Sequence, residues 1–258
     1  DALSISFDSH VGHDYFEDSS KRYEYYHRKE EKIPFDIDFL NKITKNGVAK
    51  KTLNMIMGGV HTGKTLTLCH LGASYLAMGK NVLYITLEMA EEEITRRIDT
   101  NLLNISFDDL DNLPFDLFLK RVEAMKLKTA GKLIVKEYPS TTASVDHFRA
   151  LLTELKLKKK FIPDVIIIDY LNICASSRMK SSSASDMYSY VKSIAEEVRG
   201  FAQAMNLPIW TATQLNRAGF GSSDPEMTDV AESFGINATV DLLLVLVTSE
   251  SLQKANQI

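Results

Sequence analysis

Residues 58–65 read Gly-Gly-Val-His-Thr-Gly-Lys-Thr, a full match to the spacing GxxxxGK[ST]. Each residue type has a task in holding a polyphosphate. Gly58, Gly59 and Gly63 let backbone N–H groups curl inward without Cβ clashes, and Val60, His61 and Thr62 add their own N–H groups to the turn. Lys64 would neutralise charge on the β- and γ-phosphates, and the Thr65 hydroxyl would ligate Mg²⁺. The expected ligand is therefore ATP with magnesium.

Further polar residues end apolar runs elsewhere. Asp169 follows Asp164–Ile168 (DVIII), and a carboxylate there is costly to bury unless a cation faces it, which magnesium would supply. Its bland alternative is an acid emerging at a strand end. Glu88 follows Asn81–Leu87 (NVLYITL). If that strand neighbours the one before the glycine loop, Glu88 could orient or deprotonate an attacking water; otherwise it serves the next helix as a first-turn acid. Gln214 follows Pro208–Thr213 and could hydrogen-bond a γ-phosphate, or be an inert strand-end amide.

The elements that must position these groups alternate. Thr52–Met57, Asn81–Leu87, Lys132–Tyr138, Asp164–Asp169, Pro208–Thr213 and Val240–Val247 read as strands. Lys64–Met78, Glu91–Leu103, Pro114–Ala130, Val145–Lys159 and Asp186–Met205 read as helices, with Gly79 as a C-terminal stop for the first. Strands apolar throughout and separated by helices predict an α/β fold, a mostly parallel sheet covered by helices on both faces. Ligands of such sheets bind beyond the carboxyl ends of the strands. Ser176–Ser185 is the clearest loop.

Composition narrows the function. The 258 residues are 45% hydrophobic and 25% charged, enough for one large domain with an appendage. A net charge of −4 argues against a broad DNA-gripping face, so any nucleic-acid contact is confined to a groove or channel. Cys69 and Cys174 stand far apart in apolar runs and read as core thiols of a reducing, cytoplasmic compartment, with no metal or disulfide pattern. No run reaches the ~20 apolar residues a membrane helix needs. The chain starts at Asp1, which reads as a fragment with its native start upstream. Residues 1–32, polar and tyrosine-rich, read either as a solvated leader or as an arm docking on a neighbouring subunit; Pro34 marks the break to the main domain, 33–258.

With these motifs in place, the chain resembles the DnaB-type replicative helicases. The resemblance rests on VLYITLEMAEEEITRRID, IIIDYLNI and TATQLNRAGF, in that order after the glycine loop, and on KRYEYYHRKEEKIPF upstream. It is strongest toward the T-even bacteriophage branch and runs from about Val11 to the end of the chain. It implies a RecA-like P-loop NTPase core in a homo-hexameric ring that moves 5′ to 3′ on single-stranded DNA, with a primase and a helicase loader as partners. By position it makes Lys64 and Thr65 the Walker A pair, Glu88 the catalytic glutamate, Asp169 the Walker B acid and Gln214 the γ-phosphate sensor. The leader becomes a linker helix on the adjacent subunit. DNA would meet loops facing the channel, at Arg178 and Lys180, at Arg217, and at the backbone of Ser233, Phe234 and Gly235.

The chain departs from the family in three places. Ala231-Glu232 stands where cellular members carry Arg-Glu, and Thr248 stands where many carry an arginine near the base. The family's arginine finger falls beyond Ile258, so the 258-residue piece is expected to hydrolyse ATP weakly, a finger being worth about 10³–10⁵ in rate. A recombinase or regulatory ATPase on the same fold, and a non-catalytic nucleotide-binding adaptor, are the rival readings. The Leu-Glu-Met and Asp-Tyr-Leu contexts argue against the former, and the intact loop with Glu88 and Gln214 against the latter.

Overall fold

A computed structural model describes residues 14–27, 31–179, 187–214 and 239–247. The chain divides into two compact units, Asp1–Glu31 and Lys32–Ile258. In the first, Asp14 accepts the N–H groups of Phe16 and Glu17 in a turn that leads into α1 (Ser19–His27). The Arg22 guanidinium lies 4.2 Å from the Tyr15 ring centre, and Tyr23 stacks on His27. Tyr15, Phe16, Tyr23 and Tyr26 are exposed.

The second unit begins with a small antiparallel pair, β1 (Lys32–Ile33) and β2 (Val48–Ala49), around α2 (Asp38–Thr44). The Asn41 amide closes this corner by bonding both the N–H and the C=O of Phe35. Gly47 sits at φ 111°, where an added Cβ would fall 1.9 Å from the Ile33 carbonyl oxygen, so the corner admits only glycine.

There follow β3 (Leu53–Gly58), α3 (Lys64–Ala77), β4 (Val82–Thr86), α4 (Glu91–Leu103), α5 (Phe107–Asp111), α6 (Phe115–Lys128) and β5 (Leu133–Glu137). Then come α7 (Val145–Lys159), β6 (Val165–Asp169), a single 3-10 turn (Leu171–Ile173), α8 (Met187–Met205), β7 (Ile209–Gln214) and β8 (Leu242–Leu246). The six large strands form one sheet in the order β5-β4-β6-β7-β3-β8, every pairing parallel.

Alternation along the strands sorts their side chains onto two cores. Leu83, Ile85, Ile166 and Ile168 face α7 and α8 and pack with Phe148, Leu151, Val198 and Phe201. Val82, Tyr84, Val165, Ile167, Trp210 and Ala212 face α3 and α4 and pack with Leu68, Leu71, Tyr75, Ile94 and Ile98. Each Val, Leu, Ile or Phe among them contributes about 1.5–3 kcal/mol by leaving water. The two-layer cover explains why the strands read as unbroken aliphatic runs. Where Trp210 and Tyr75 carry polar atoms into the core, the indole N–H donates to the Tyr75 hydroxyl at 3.0 Å.

The architecture is the α/β one expected, with helices on both faces. Strand adjacency differs from one premise. β4, which ends just before Glu88, does not neighbour β3; β6 and β7 lie between them. Strand order follows from how the crossovers pack, and periodicity carries no trace of it. Helix α2, of seven residues, and three shorter features went unread in the sequence. The β1–β2 pair has two residues per strand and α5 has five, too short for any period, and the 3-10 turn is a single turn.

Candidate functional site

The carboxyl ends of the parallel strands gather the singled-out polar residues along one edge. Gly58 is the register partner of Gln214 on one side and of Leu246 on the other. Asp169 is the register partner of Thr86, two residues before Glu88. The Thr211 hydroxyl donates to the Ile168 carbonyl at 2.8 Å, locking β7 to β6, and Thr213 donates to Asn172 in the 3-10 turn at 2.8 Å.

The glycine loop runs from β3 to α3. A Cβ on Gly58 would lie 2.4 Å from the Thr62 hydroxyl, which itself donates to the Gly59 carbonyl. His61 and Gly63 both take positive φ, 61° and 89°. Gly63 leads into α3 without a side-chain cap, and no acid occupies the first turn, so the helix start offers N–H groups and a positive dipole end to an anion. Lys64 bends back over this loop, its ammonium donating to the carbonyls of Gly58 (3.2 Å) and Gly59 (2.5 Å). Burial lowers the Lys64 ammonium below the ordinary lysine value, while the charges of Glu88 and Asp169 act to raise it. Val60 is exposed at the tip.

Asp169 is 1% exposed. Burial raises its carboxyl above the usual range; the Tyr84 hydroxyl, donating to Oδ2 at 3.0 Å, acts the other way. Thr65 also lies close enough to favour the ionised form, but no hydrogen bond reaches Oδ1, which is buried without a partner among the described residues. The peptide bond from Asp169 to Tyr170 is cis. Behind Tyr84, the Cys69 thiol approaches the same hydroxyl at 3.7 Å.

An unpartnered, buried carboxylate oxygen beside a threonine hydroxyl fits a divalent cation. Among the described residues no group of three His, Cys, Asp or Glu could hold a metal alone. That donor set suits magnesium, which takes one or two carboxylates and completes its shell with water and phosphate.

Glu88 projects from a tight turn. The Thr86 hydroxyl donates to the Met89 carbonyl (2.8 Å) and accepts the Met89 N–H (3.1 Å). The Leu87 N–H donates to the Asp169 carbonyl at 2.9 Å, and Ser140 donates to the Leu87 carbonyl. The exposed Glu88 carboxylate acts electrostatically on Lys64, Asp169 and Tyr170. Convergence thus survives the loss of direct β3–β4 adjacency, because β4 flanks β6 and Glu88 lies beyond its end.

Of the expected nucleic-acid contacts, Arg178 is exposed just after the 3-10 turn. Lys180, Arg217, Ser233, Phe234 and Gly235 lie outside the described residues, as do Ala231-Glu232 and Thr248. One site-related residue was missed by sequence reasoning, Tyr84. Tyr84 had a signal, since a phenol inside an aliphatic strand needs a polar partner.

Comparison with known proteins follows the same line. The profile of the DnaB-like helicase C-terminal domain matches residues 33–258. A DnaB-like replicative helicase of Enterobacteria phage T4 is 48% identical over 259 residues, covering 99% of this chain and 54% of that protein. The chain thus spans about half the length of that relative. The solved structure of a DnaB-like replicative helicase, described with its interactions with primase, superposes with TM-score 0.73 at 16% identity, over 98% of this chain and 60% of that one. A second solved structure, described as an ATPase domain, gives TM-score 0.70 at 16% identity, over 91% of this chain and 82% of that one.

Proposed function

The chain belongs to the DnaB-like helicase C-terminal domain family, and on that premise we propose that it is the ATP-hydrolysing motor of a replicative DNA helicase. The protein moves 5′ to 3′ on single-stranded DNA as a homo-hexamer, with ATP between subunits. One observation carries the reading. Glu88 lies near enough to act on both Lys64 and Asp169 at the carboxyl edge of the sheet, and Asp169 keeps a buried oxygen without a partner among the described residues.

The glycine loop, Gly58 to Gly63, cradles the phosphates through its N–H groups and the start of α3. Lys64 leaves its two loop carbonyls for the β- and γ-phosphates. Thr65 and Asp169 hold magnesium, which when bound offsets phosphate charge. Glu88 orients water for attack and accepts its proton. Gln214, beside Gly58 in register, hydrogen-bonds the γ-phosphate and transmits its loss along β7. Arg178 and Lys180, Arg217, and the amides of Ser233 to Gly235 meet the DNA backbone. Residues 1–32 lie on the neighbouring subunit, and residues 33–258 form the motor. A primase and a loader act with the ring, in the host cytoplasm if the protein is phage-encoded. No helix among the described residues is long and apolar enough to cross a membrane.

A forked duplex with a 5′ single-stranded tail, the full-length protein and ATP test this. Strand separation that fails when the tail is 3′ supports the proposal. Strand exchange without unwinding would favour a recombinase instead.

A further inference from the structure

Helix α8 turns one carboxylate into the core. Ile194, Ala195, Val198, Phe201 and Ala202 on this helix are buried, and Glu197 among them is only 6% exposed. A leucine at that position would pack without any polar requirement; a buried carboxylate is costly unless donors meet it. The donors come largely from the segment that leaves the 3-10 turn. Ser176 Oγ donates to Glu197 Oε1 at 2.5 Å and the Ser177 N–H donates to Oε2 at 2.8 Å. Ser193, one turn earlier on α8, adds a bond to Oε1 at 3.1 Å.

Ser176 has one hydroxyl proton. Committed to Glu197, it leaves the oxygen's lone pairs to accept the N–H of Arg178 at 3.1 Å and of Met179 at 3.0 Å. Its own N–H donates to the Tyr190 hydroxyl at 3.1 Å, a third tie to α8. Glu197 therefore sets the direction of the Ser176 hydroxyl, whose lone pairs close the turn that carries the exposed Arg178.

We propose that Glu197 is the positioning residue for Arg178, holding it through Ser176 and the Ser177 N–H so that its guanidinium meets a phosphate of single-stranded DNA. The inference rests on the nucleic-acid reading above and adds the side chain that sets its geometry. Glu197→Gln keeps the volume but turns one acceptor oxygen into a donor, so one of the two loop donors is turned away. Ser176→Ala removes the relay from the other side, with little change in the core.

The test is DNA-stimulated ATP turnover by the full-length protein, titrated with oligo(dT) and compared with Arg178→Ala. Glu197→Gln and Ser176→Ala should each raise the half-saturating DNA concentration about tenfold, the loss of one charge-assisted contact. Turnover at saturating DNA should stay within about twofold of the parent, the mark of lost positioning. Added to Arg178→Ala, Glu197→Gln should cost little more, because both act on one contact. Wild-type half-saturation in both Glu197→Gln and Ser176→Ala, fully additive losses in the double variant, or an equal fall in saturated turnover would each overturn the positioning role. Arg178→Ala with unchanged half-saturation would instead overturn the nucleic-acid reading of this segment.

Discussion

The Tyr84 hydroxyl donates to Oδ2 of Asp169 across 3.0 Å, so this buried carboxylate keeps one oxygen engaged and the other, Oδ1, without a partner among the described residues. A strand-centre phenol thereby orients an acid on the neighbouring strand. The arrangement gives the two oxygens different surroundings, one bonded within the core and one left open to the metal proposed above.

Tyr84→Phe should leave both oxygens unsatisfied. The expected cost is about 1–3 kcal/mol of stability, read from urea denaturation. Metal affinity should fall by about tenfold or more, as for other supporting partners of metal ligands. Magnesium titration of fluorescent nucleotide binding measures it, and unchanged magnesium dependence would separate Tyr84 from the site.

Lys64→Ala and Glu88→Gln should fail differently. The first removes the cation that the loop presents and should abolish detectable nucleotide binding. The second keeps size and hydrogen bonding but not basicity; it should bind ATP normally and slow its cleavage by about 10²–10⁴-fold. Equilibrium binding and single-turnover hydrolysis distinguish them. Tight ATP binding by Lys64→Ala would count against the phosphate cradle.

The two thiols predict a response to alkali. Burial pushes Cys69 up to about 11 and Cys174 up to about 12, against 9.0 for a free thiol. A raised value in the folded state means that its contribution to stability is whole below pH 9 and is lost as the pH climbs through 11 and 12. Thiolate absorbance near 240 nm should stay absent from the native protein at about pH 9.5 and emerge on unfolding.

How far the sequence discloses this molecule depends on the range of each interaction. Val165–Ile168 and Leu83–Ile85 announce buried strands because both faces of the sheet are covered. The helix over Val145–Lys159 keeps its predicted ends, since Ser144 opens it with a capping box and Lys160 closes it in a left-handed turn. The glycine loop was legible as well, its residues being contiguous. Strand order was not, so the route by which Glu88 comes near Asp169 through β4 and β6 had to be seen. Tyr84 and Asp169 lie 85 residues apart, and Ser176 and Glu197 lie 21 apart. Such pairs meet only once crossovers are packed, and no local pattern marks them.

Where a nucleotide sits decides whether the 58–65 loop and the strand-end residues form one phosphate site, on which the motor reading depends. A structure of the full-length protein with magnesium and a non-hydrolysable ATP analogue tests this most directly. The prediction is one metal shared by Thr65, Asp169 and the phosphates, with Lys64, Glu88 and Gln214 around the terminal phosphate. A triphosphate bound away from the 58–65 loop, or Glu88 and Gln214 facing a different cavity, would contradict it.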